Sequence, residues 1–487
     1  MTIDYVAIAP EIALASTALV VLLLDLVLSD TRKRLANPVA MLGTIAAIVL
    51  TVQLWGDDRS TFGGMFVVND FAVVFKLLFL GALVAILFVS YRYFATGRYF
   101  QGEYYFLLVT AFVGMLVMPS ARDLLLLFVA LETVSIPAFI MAGLRKRDLY
   151  STEAAIKFFL IGVLSVAIML FGMSLLYGFT GTTSLEGIAE ALRGGESPPL
   201  LLASLMLVIA GFAFKVSAVP FHFWAPDTYA GSPMPVAAML AVASKAAGFA
   251  GLAVIAFIAF EPVAEVWTGA VMVIAIITMT VGNLIALQQR DIVRLLAYSS
   301  VAHAGWMLVP FGLIESGAID LNDRAAQATL FYIVAYAIMN IGAFGVAVAL
   351  ALKGRERAIS DFEGLGYRAP MLAVAMTTFL VALGGVVPTV GFWAKFAIFD
   401  AVVASGSVGD YVVAGLLILN AVVALFYYLR VAYLMWMRQP RLGAPILQPG
   451  IALSFILLVL MVATVVLGLL PGLVTDSTSV TSVLAGS

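Results

Sequence analysis

Eight residues able to exchange a proton stand inside otherwise apolar stretches of this sequence. Glu132 lies between Leu131 and Thr133 amid long aliphatic runs, and Lys76, Lys157, Lys215, Lys245 and Lys395 each fall in an apolar segment. The other two are His222 and His303, the chain's only histidines. A charged side chain at the centre of a membrane helix costs about 2.5–3.5 kcal/mol on insertion scales and marks an ion pathway. Arginine stays protonated in proteins, whereas a desolvated lysine can give up its proton near neutral pH. All five lysines outside the loops are intramembrane by this reading, and no arginine is.

Position separates these groups. Glu132, Lys215 and Lys245 sit deep, where snorkelling is hard, and a purely structural ion pair is the competing reading for Glu132. Lys395 lies seven residues after Pro388, with Asp400 one and a half turns further on. Lys76 is close enough to a membrane face to lay its stem along apolar surface with its ammonium among the headgroups, which is the reading preferred here. Lys157 admits both readings. His222, two residues past Pro220, and His303 supply the two ligands a haem would need. A hydrogen-bonded relay is the simpler account, since histidine titrates near physiological pH, and a satisfied core histidine is the third possibility.

The elements that must position these groups follow from composition. Of 487 residues 63% are hydrophobic and 11% charged, with mean hydropathy +1.10 and net charge −2. This excludes a water-soluble globule and offers nothing to nucleic acid. With no cysteine, thiolate iron–sulfur ligation, c-type haem and disulfides are excluded. The phosphate loop, dinucleotide turn, HExxH and nucleophile-elbow motifs are missing too.

Hydropathy predicts fourteen helices near 5–28, 37–55, 71–91, 104–119, 123–144, 154–178, 199–230, 233–260, 266–288, 291–313, 326–352, 371–404, 410–436 and 450–471. The first has no basic stretch before it and reads as an uncleaved span. Alternate loops then hold seventeen basic residues: Arg32, Lys33, Arg34, Arg92, Arg98, Arg145, Lys146, Arg147, Arg290, Arg294, Lys353, Arg355, Arg357, Arg368, Arg430, Arg438 and Arg441. The opposite loops hold four, Arg59, Arg122, Arg193 and Arg324. The positive-inside rule puts the rich side in the cytoplasm and both termini outside.

The sequence also matches itself at an offset of 168. Val113-Gly114-x-Leu116 with Arg122-Asp123 aligns with Val281-Gly282-x-Leu284 and Arg290-Asp291, and Val219-Pro220 aligns with Val387-Pro388. Five helices, an odd number, separate the two Arg-Asp loops, so the second copy is inverted, as in many transporters. Segments 199–230 and 371–404 are too long for straight crossings, and Pro220 and Pro388 are expected to break them. An ordinary proline kink is the plainer alternative. The fold expected is an all-α polytopic membrane protein of about 14 helices with two inverted five-helix repeats, each containing a broken helix. Its divisions are an N-terminal three-helix segment (1–103), repeats over 104–260 and 261–437, and a last helix and tail (438–487).

Two runs carry a family likeness. Lys215-Val-Ser-Ala-Val-Pro-Phe-His-Phe-Trp-Ala-Pro-Asp-Thr-Tyr-Ala-Gly-Ser-Pro-Met-Pro-Val236 and Arg294-Leu-Leu-Ala-Tyr-Ser-Ser-Val-Ala-His-Ala-Gly-Trp306 resemble signatures of the antiporter-like membrane subunits of respiratory complex I. The likeness covers about 104–437, and that family shares its fold with multisubunit cation/proton antiporters. It implies proton translocation within an NADH–quinone oxidoreductase, driven by redox chemistry on other chains. A secondary cation/proton antiporter subunit is the alternative. By position it implies a charged pair of Glu132 and Lys215 at the cytoplasmic half-channel with Lys157 beside it. Lys245 becomes a central relay, Lys395 the way out and His303 a polar relay group. No cofactor is implied on this chain: FMN, iron–sulfur clusters and quinone belong to partner subunits. The implied partners are antiporter-like neighbours and small helical subunits in a bacterial inner membrane.

Overall fold

The computed structural model describes residues 3–29, 32–96, 101–193, 198–351, 357–440, 447 and 449–478. Four of the basic loop residues, Arg98, Lys353, Arg355 and Arg441, lie outside them. The helices are α1 (Ala9–Val27), α2 (Ala36–Gln53), α3 (Asp70–Thr96), α4 (Gln101–Val117), α5 (Leu124–Ala142) and α6 (Leu149–Thr180). A short α7 (Leu185–Leu192) precedes α8 (Pro199–Val216), α9 (Trp224–Gly231) and α10 (Met234–Ala259). Then come α11 (Ala264–Gln288), α12 (Ile292–Leu308), α13 (Ile319–Ala351), α14 (Pro370–Gly384), α15 (Val390–Ser405), α16 (Val408–Met437) and α17 (Ile451–Leu469).

Among the described residues thirteen helices are long and apolar enough to cross a bilayer. The crossing expected at 371–404 is not among them because it is two pieces, α14 and α15. The crossing expected at 199–230 is likewise divided into α8 and α9. The first piece of each ends in the left-handed region: Ser217 at φ 62° and Gly385 at φ 86°. The Val219–Pro220 and Val387–Pro388 peptide bonds lie just beyond, and both are cis.

Aspartates start the helices at the two Arg-Asp landmarks. Asp123 accepts from the amides of Leu125 and Leu126 at the head of α5, and Asp291 from the amide of Arg294 at the head of α12. A carboxylate there satisfies orphan donors and faces the positive end of the dipole. Each landmark also pairs with a later strand-like segment. The Leu124 amide donates to Thr183 and that of Leu185 to Arg122; the Ile292 amide donates to Arg357 and that of Ile359 to Arg290.

The best-buried spans are α10, at 94%, and α12 and α13, at 89% each, against 33% for α1 and α6. A helix apolar all round and buried all round belongs to the centre of a bundle. Into this centre the chain places Lys245 and His303.

A hairpin of β1 (Arg59–Thr61) and β2 (Phe66–Val68), absent from the sequence reading, caps the N-terminal segment. It changes the account of Lys76. That side chain is fully buried, 2.9 Å from the Glu11 carboxylate on α1, with the Phe66 ring centroid 4.8 Å from its ammonium. Lys76 therefore does not reach the headgroups: the hairpin closes over the depth from which it would have done so. Arg122 also departs from its loop role. It is 3% exposed, donates to the Pro119 and Ala121 carbonyls, and burial pushes its guanidinium down to about 10, still cationic at neutral pH.

Removing one partner of a buried ion pair costs about 3–5 kcal/mol, whereas replacing both is close to neutral. Lys76→Ala is therefore expected to lower the melting temperature and yield of the purified protein. Lys76→Met combined with Glu11→Gln should recover most of the loss, and equal melting of Lys76→Ala and wild type would contradict the pairing.

Candidate functional site: a line of buried amines

Three lysines in the interior are each tied to a polar acceptor on a neighbouring helix or across a helix break. Lys215, 3% exposed near the end of α8, donates to the Ser135 hydroxyl of α5 at 2.9 Å. Lys245, 1% exposed on α10, donates to the Ser300 carbonyl of α12 at 2.7 Å and to its hydroxyl. Lys395, 8% exposed on α15, donates to the Gly384 carbonyl at the broken end of α14 at 2.8 Å, and its ammonium lies 5.4 Å from the Trp306 ring centroid. An ammonium in hydrocarbon needs such partners, since no solvent compensates it.

Helix α12 gathers the second half of this line. Ser300, His303 and Trp306 follow one another at three-residue steps, so they climb roughly 9 Å along one helix at 1.5 Å per residue. Lys245 meets the first of them and Lys395 the last. His303 stands between, its Nδ1 2.7 Å from the Tyr332 hydroxyl and its Nε2 3.1 Å from that of Tyr428. Both ring nitrogens are thus engaged by hydroxyls. Tyr428 also shares a short hydrogen bond with Ser299, and Asn340 donates to the Tyr336 hydroxyl at 2.7 Å.

Two glycines let the amines approach. A Cβ on Gly248 would stand 2.8 Å from Lys215 Cγ, so this gap in α10 seats the Lys215 stem one turn from Lys245. A Cβ on Gly385 would stand 2.8 Å from Lys395 Cδ, and its positive φ disfavours other residues as well. Helix α10 also carries π turns at Leu240–Ser244 and Ile255–Ala259, on both sides of the Lys245 segment. Such turns interrupt the regular backbone ladder and often occur at functional sites.

The remaining sequence candidates fall at the margins. Glu132 is half-buried; its Oε1 is enclosed without a hydrogen-bond partner. Glu132 and Lys215 form no direct ion pair; the lysine bonds instead to Ser135, three residues along α5. Lys157 pairs with neither, and instead has Glu153 at 2.7 Å and Asp227 at 2.9 Å. His222 is buried with Nδ1 unpartnered beside the Phe223 ring. Asp400 is exposed and pairs with Arg324 at 3.1 Å, apart from Lys395. Pro220 and Pro388 occupy the two breaks as expected.

A cavity of about 660 Å³ opens beside α9, lined among others by Lys157, Glu153, Asp227, Arg290 and Arg294. The sequence reading missed Asp227 and Arg294 as partners, and it missed Tyr332, Tyr336 and Asn340. The last three stand at four-residue steps on α13, a polar stripe that periodicity could have shown. Among the described residues, no group of three histidine, cysteine or carboxylate side chains could hold a metal.

Comparison with known proteins now assigns the class. Residues 121–421 match the family model described as NADH:quinone oxidoreductase/Mrp antiporter, TM, and the chain belongs to that family. Among curated relatives, the NADH-quinone oxidoreductase subunit N of Chlorobium chlorochromatii is 38% identical over 476 residues, covering 94% of this chain and 91% of that protein. A chain of respiratory complex I from Thermus thermophilus superposes with a TM-score of 0.79 at 31% identity, covering 96% of this chain and 98% of that one. A chain of the Mrp complex from Dietzia sp. shares the fold, with a TM-score of 0.85 at 20% identity and coverage of 99% and 98%.

Filling the space beside Lys215 tests the packing. Gly248→Ala should cost about 1–3 kcal/mol by overpacking and displace the lysine stem, whereas Gly81→Ala, with nothing within 4 Å, should be neutral. Melting of the two purified variants checks this.

Proposed function

We propose that this chain is the subunit N-type proton-translocating membrane component of an NADH–quinone oxidoreductase. One proton enters from the cytoplasm, passes Lys215, Lys245 and Lys395, and leaves on the outer side. The observation that carries this reading is the row of three buried lysine amines with α12 spanning from the second to the third. The names of the relatives and the complex I likeness support the assembly it serves. Redox chemistry belongs to partner subunits, with flavin, iron–sulfur clusters and quinone bound there, and this chain supplies the proton path alone.

The matching hydrogen-bond patterns at Arg122-Asp123 and Arg290-Asp291, with a helix break in each half, support two inverted repeats over 104–260 and 261–437. The N-terminal segment (1–103) and the C-terminal helix and tail (438–487) flank them. The charge bias supports a bacterial inner membrane location with both termini outside.

The energetics set what the relay must do. Against about 200 mV, moving one proton requires roughly 4.6 kcal/mol, from about 2.3 kcal/mol per 100 mV. A surface ion pair, at about 0–1 kcal/mol, is too weak to gate that step. Burying or exposing an ammonium is of the required size. Glu132 serves as the charge whose approach to Lys215 favours protonation, with Ser135 holding the amine between such events. His303, between two phenols, carries the proton from the Lys245 end of α12 towards the Lys395 end.

Glu132→Gln, Lys215→Ala, Lys245→Ala and Lys395→Ala should each lower NADH-driven proton uptake by inverted membrane vesicles, with the complex still assembled on a native gel. Undiminished uptake with Lys215→Ala would remove the relay. Sodium-coupled exchange in vesicles without NADH would favour an antiporter instead.

A further inference from the structure

We propose that access of water and protons to Lys215 is controlled by a two-layer gate at the inner mouth: a charge clasp on Asp227 and an aromatic plug behind it. This rests on the relay reading above and makes Asp227, Phe158 and Trp224 positioning residues.

The clasp is bidentate. Asp227 Oδ2 accepts from Lys157 of α6 at 2.9 Å and Oδ1 from Arg294 of α12 at 2.9 Å, so one carboxylate joins the two halves of the chain. The inner cavity reaches Lys157 and Asp227, but none of Lys215, Ser135 and Glu132 lines it. Between them lie rings. Phe158, next to Lys157, stacks on Trp224 with centroids 4.4 Å apart and planes at 14°. Phe214, next to Lys215, lies 5.2 Å from Trp224, and Phe139, one turn below Ser135, lies 4.6 Å from Phe158. A dry aromatic constriction excludes water and with it the proton.

Plug and clasp move together because they share α9. Trp224 and Asp227 are three residues apart on that eight-residue helix, so they lie on one face. A helix so short is not held by its own backbone bonds. Its position depends on side-chain ties: the Trp224 indole to the Phe214 carbonyl at 3.1 Å, the Asp227 clasp, and Arg357 donating to the Ala230 carbonyl. Release of either cation frees α9 to turn, lifts Trp224 from Phe158 and opens a wet path from the cavity to Lys215.

The chain has no cysteine, so Ser135→Cys places a single reporter on it, at the hydroxyl that now holds Lys215. A small water-soluble methanethiosulfonate is added to the cytoplasmic face of inverted vesicles containing the assembled complex, and the mass of this chain is followed. The reporter alone should react slowly. Adding Asp227→Asn should speed the reaction about 10- to 100-fold, the worth of one charge-assisted hydrogen bond, and adding Phe158→Leu about 2- to 10-fold, the worth of one aromatic pair. Asp227→Glu, which keeps the charge, should restore the slow rate. Should Asp227→Asn fail to assemble, Phe158→Leu decides alone. Fast labelling in the unaltered background, or equal rates across the assembled variants, overturns the gate. Labelling needs no pumping, so the two readings fail separately: uptake surviving Lys215→Ala removes the relay and leaves the gate, and unchanged labelling removes the gate and leaves the relay.

Discussion

The structure depends on one constraint: a bilayer offers no solvent to a buried charge, so every ammonium inside it must find its acceptor within the protein. Each of the three central lysines finds one, and each does so at a place where regular helix fails or where a hydroxyl side chain stands in. Gly384 is free to accept from Lys395 because α14 ends there. Ser135 and Ser300 offer oxygens from intact helices. One break, which would weaken an ordinary membrane helix, and two serines together make the interior habitable for charge.

From that constraint the arrangement of the helices follows. The most buried elements, α10, α12 and α13, also carry Lys245, His303 and Asn340, and they lie at the centre because only there can side chains from several directions meet a single amine. The small residues Gly248 and Gly385 admit long lysine stems between close helices. Around this core, α1, α2, α6 and α17 show a third of their span buried and present apolar surface outward, as lipid-facing or partner-facing helices do.

Much of this was legible in the sequence, for a physical reason. Charge is so unfavourable in a membrane that five lysines and a glutamate within apolar runs announce themselves, and the prolines at 220 and 388 announce the breaks. What escaped has equally physical causes. Tyr428 and Ser300 are neutral, tolerated anywhere, and carry no composition signal, while Tyr332 shows only in the four-residue spacing along α13. Asp227 and Arg294 stand near the ends of their segments, where charge reads as solvated. Lys76 was misjudged because depth along a helix does not report what folds over it; the hairpin at residues 59–68 and Glu11 on a distant helix supply its surroundings. The contact of Lys215 with Ser135 rather than Glu132 depends on rotamers, on which spacing is silent.

The seating of His303 between two phenols has a directional consequence. A neutral imidazole carries its hydrogen on one nitrogen only, so at any moment one tyrosine donates to the ring and the other accepts from it. When a proton arrives on one nitrogen and another departs from the opposite one, the tautomer has switched and both hydroxyls point the wrong way for a second passage. On the proposed relay the ring must therefore reset before it conducts again. There such a seat would work as a turnstile, separating consecutive protons in time and resisting an open, continuous leak down the gradient.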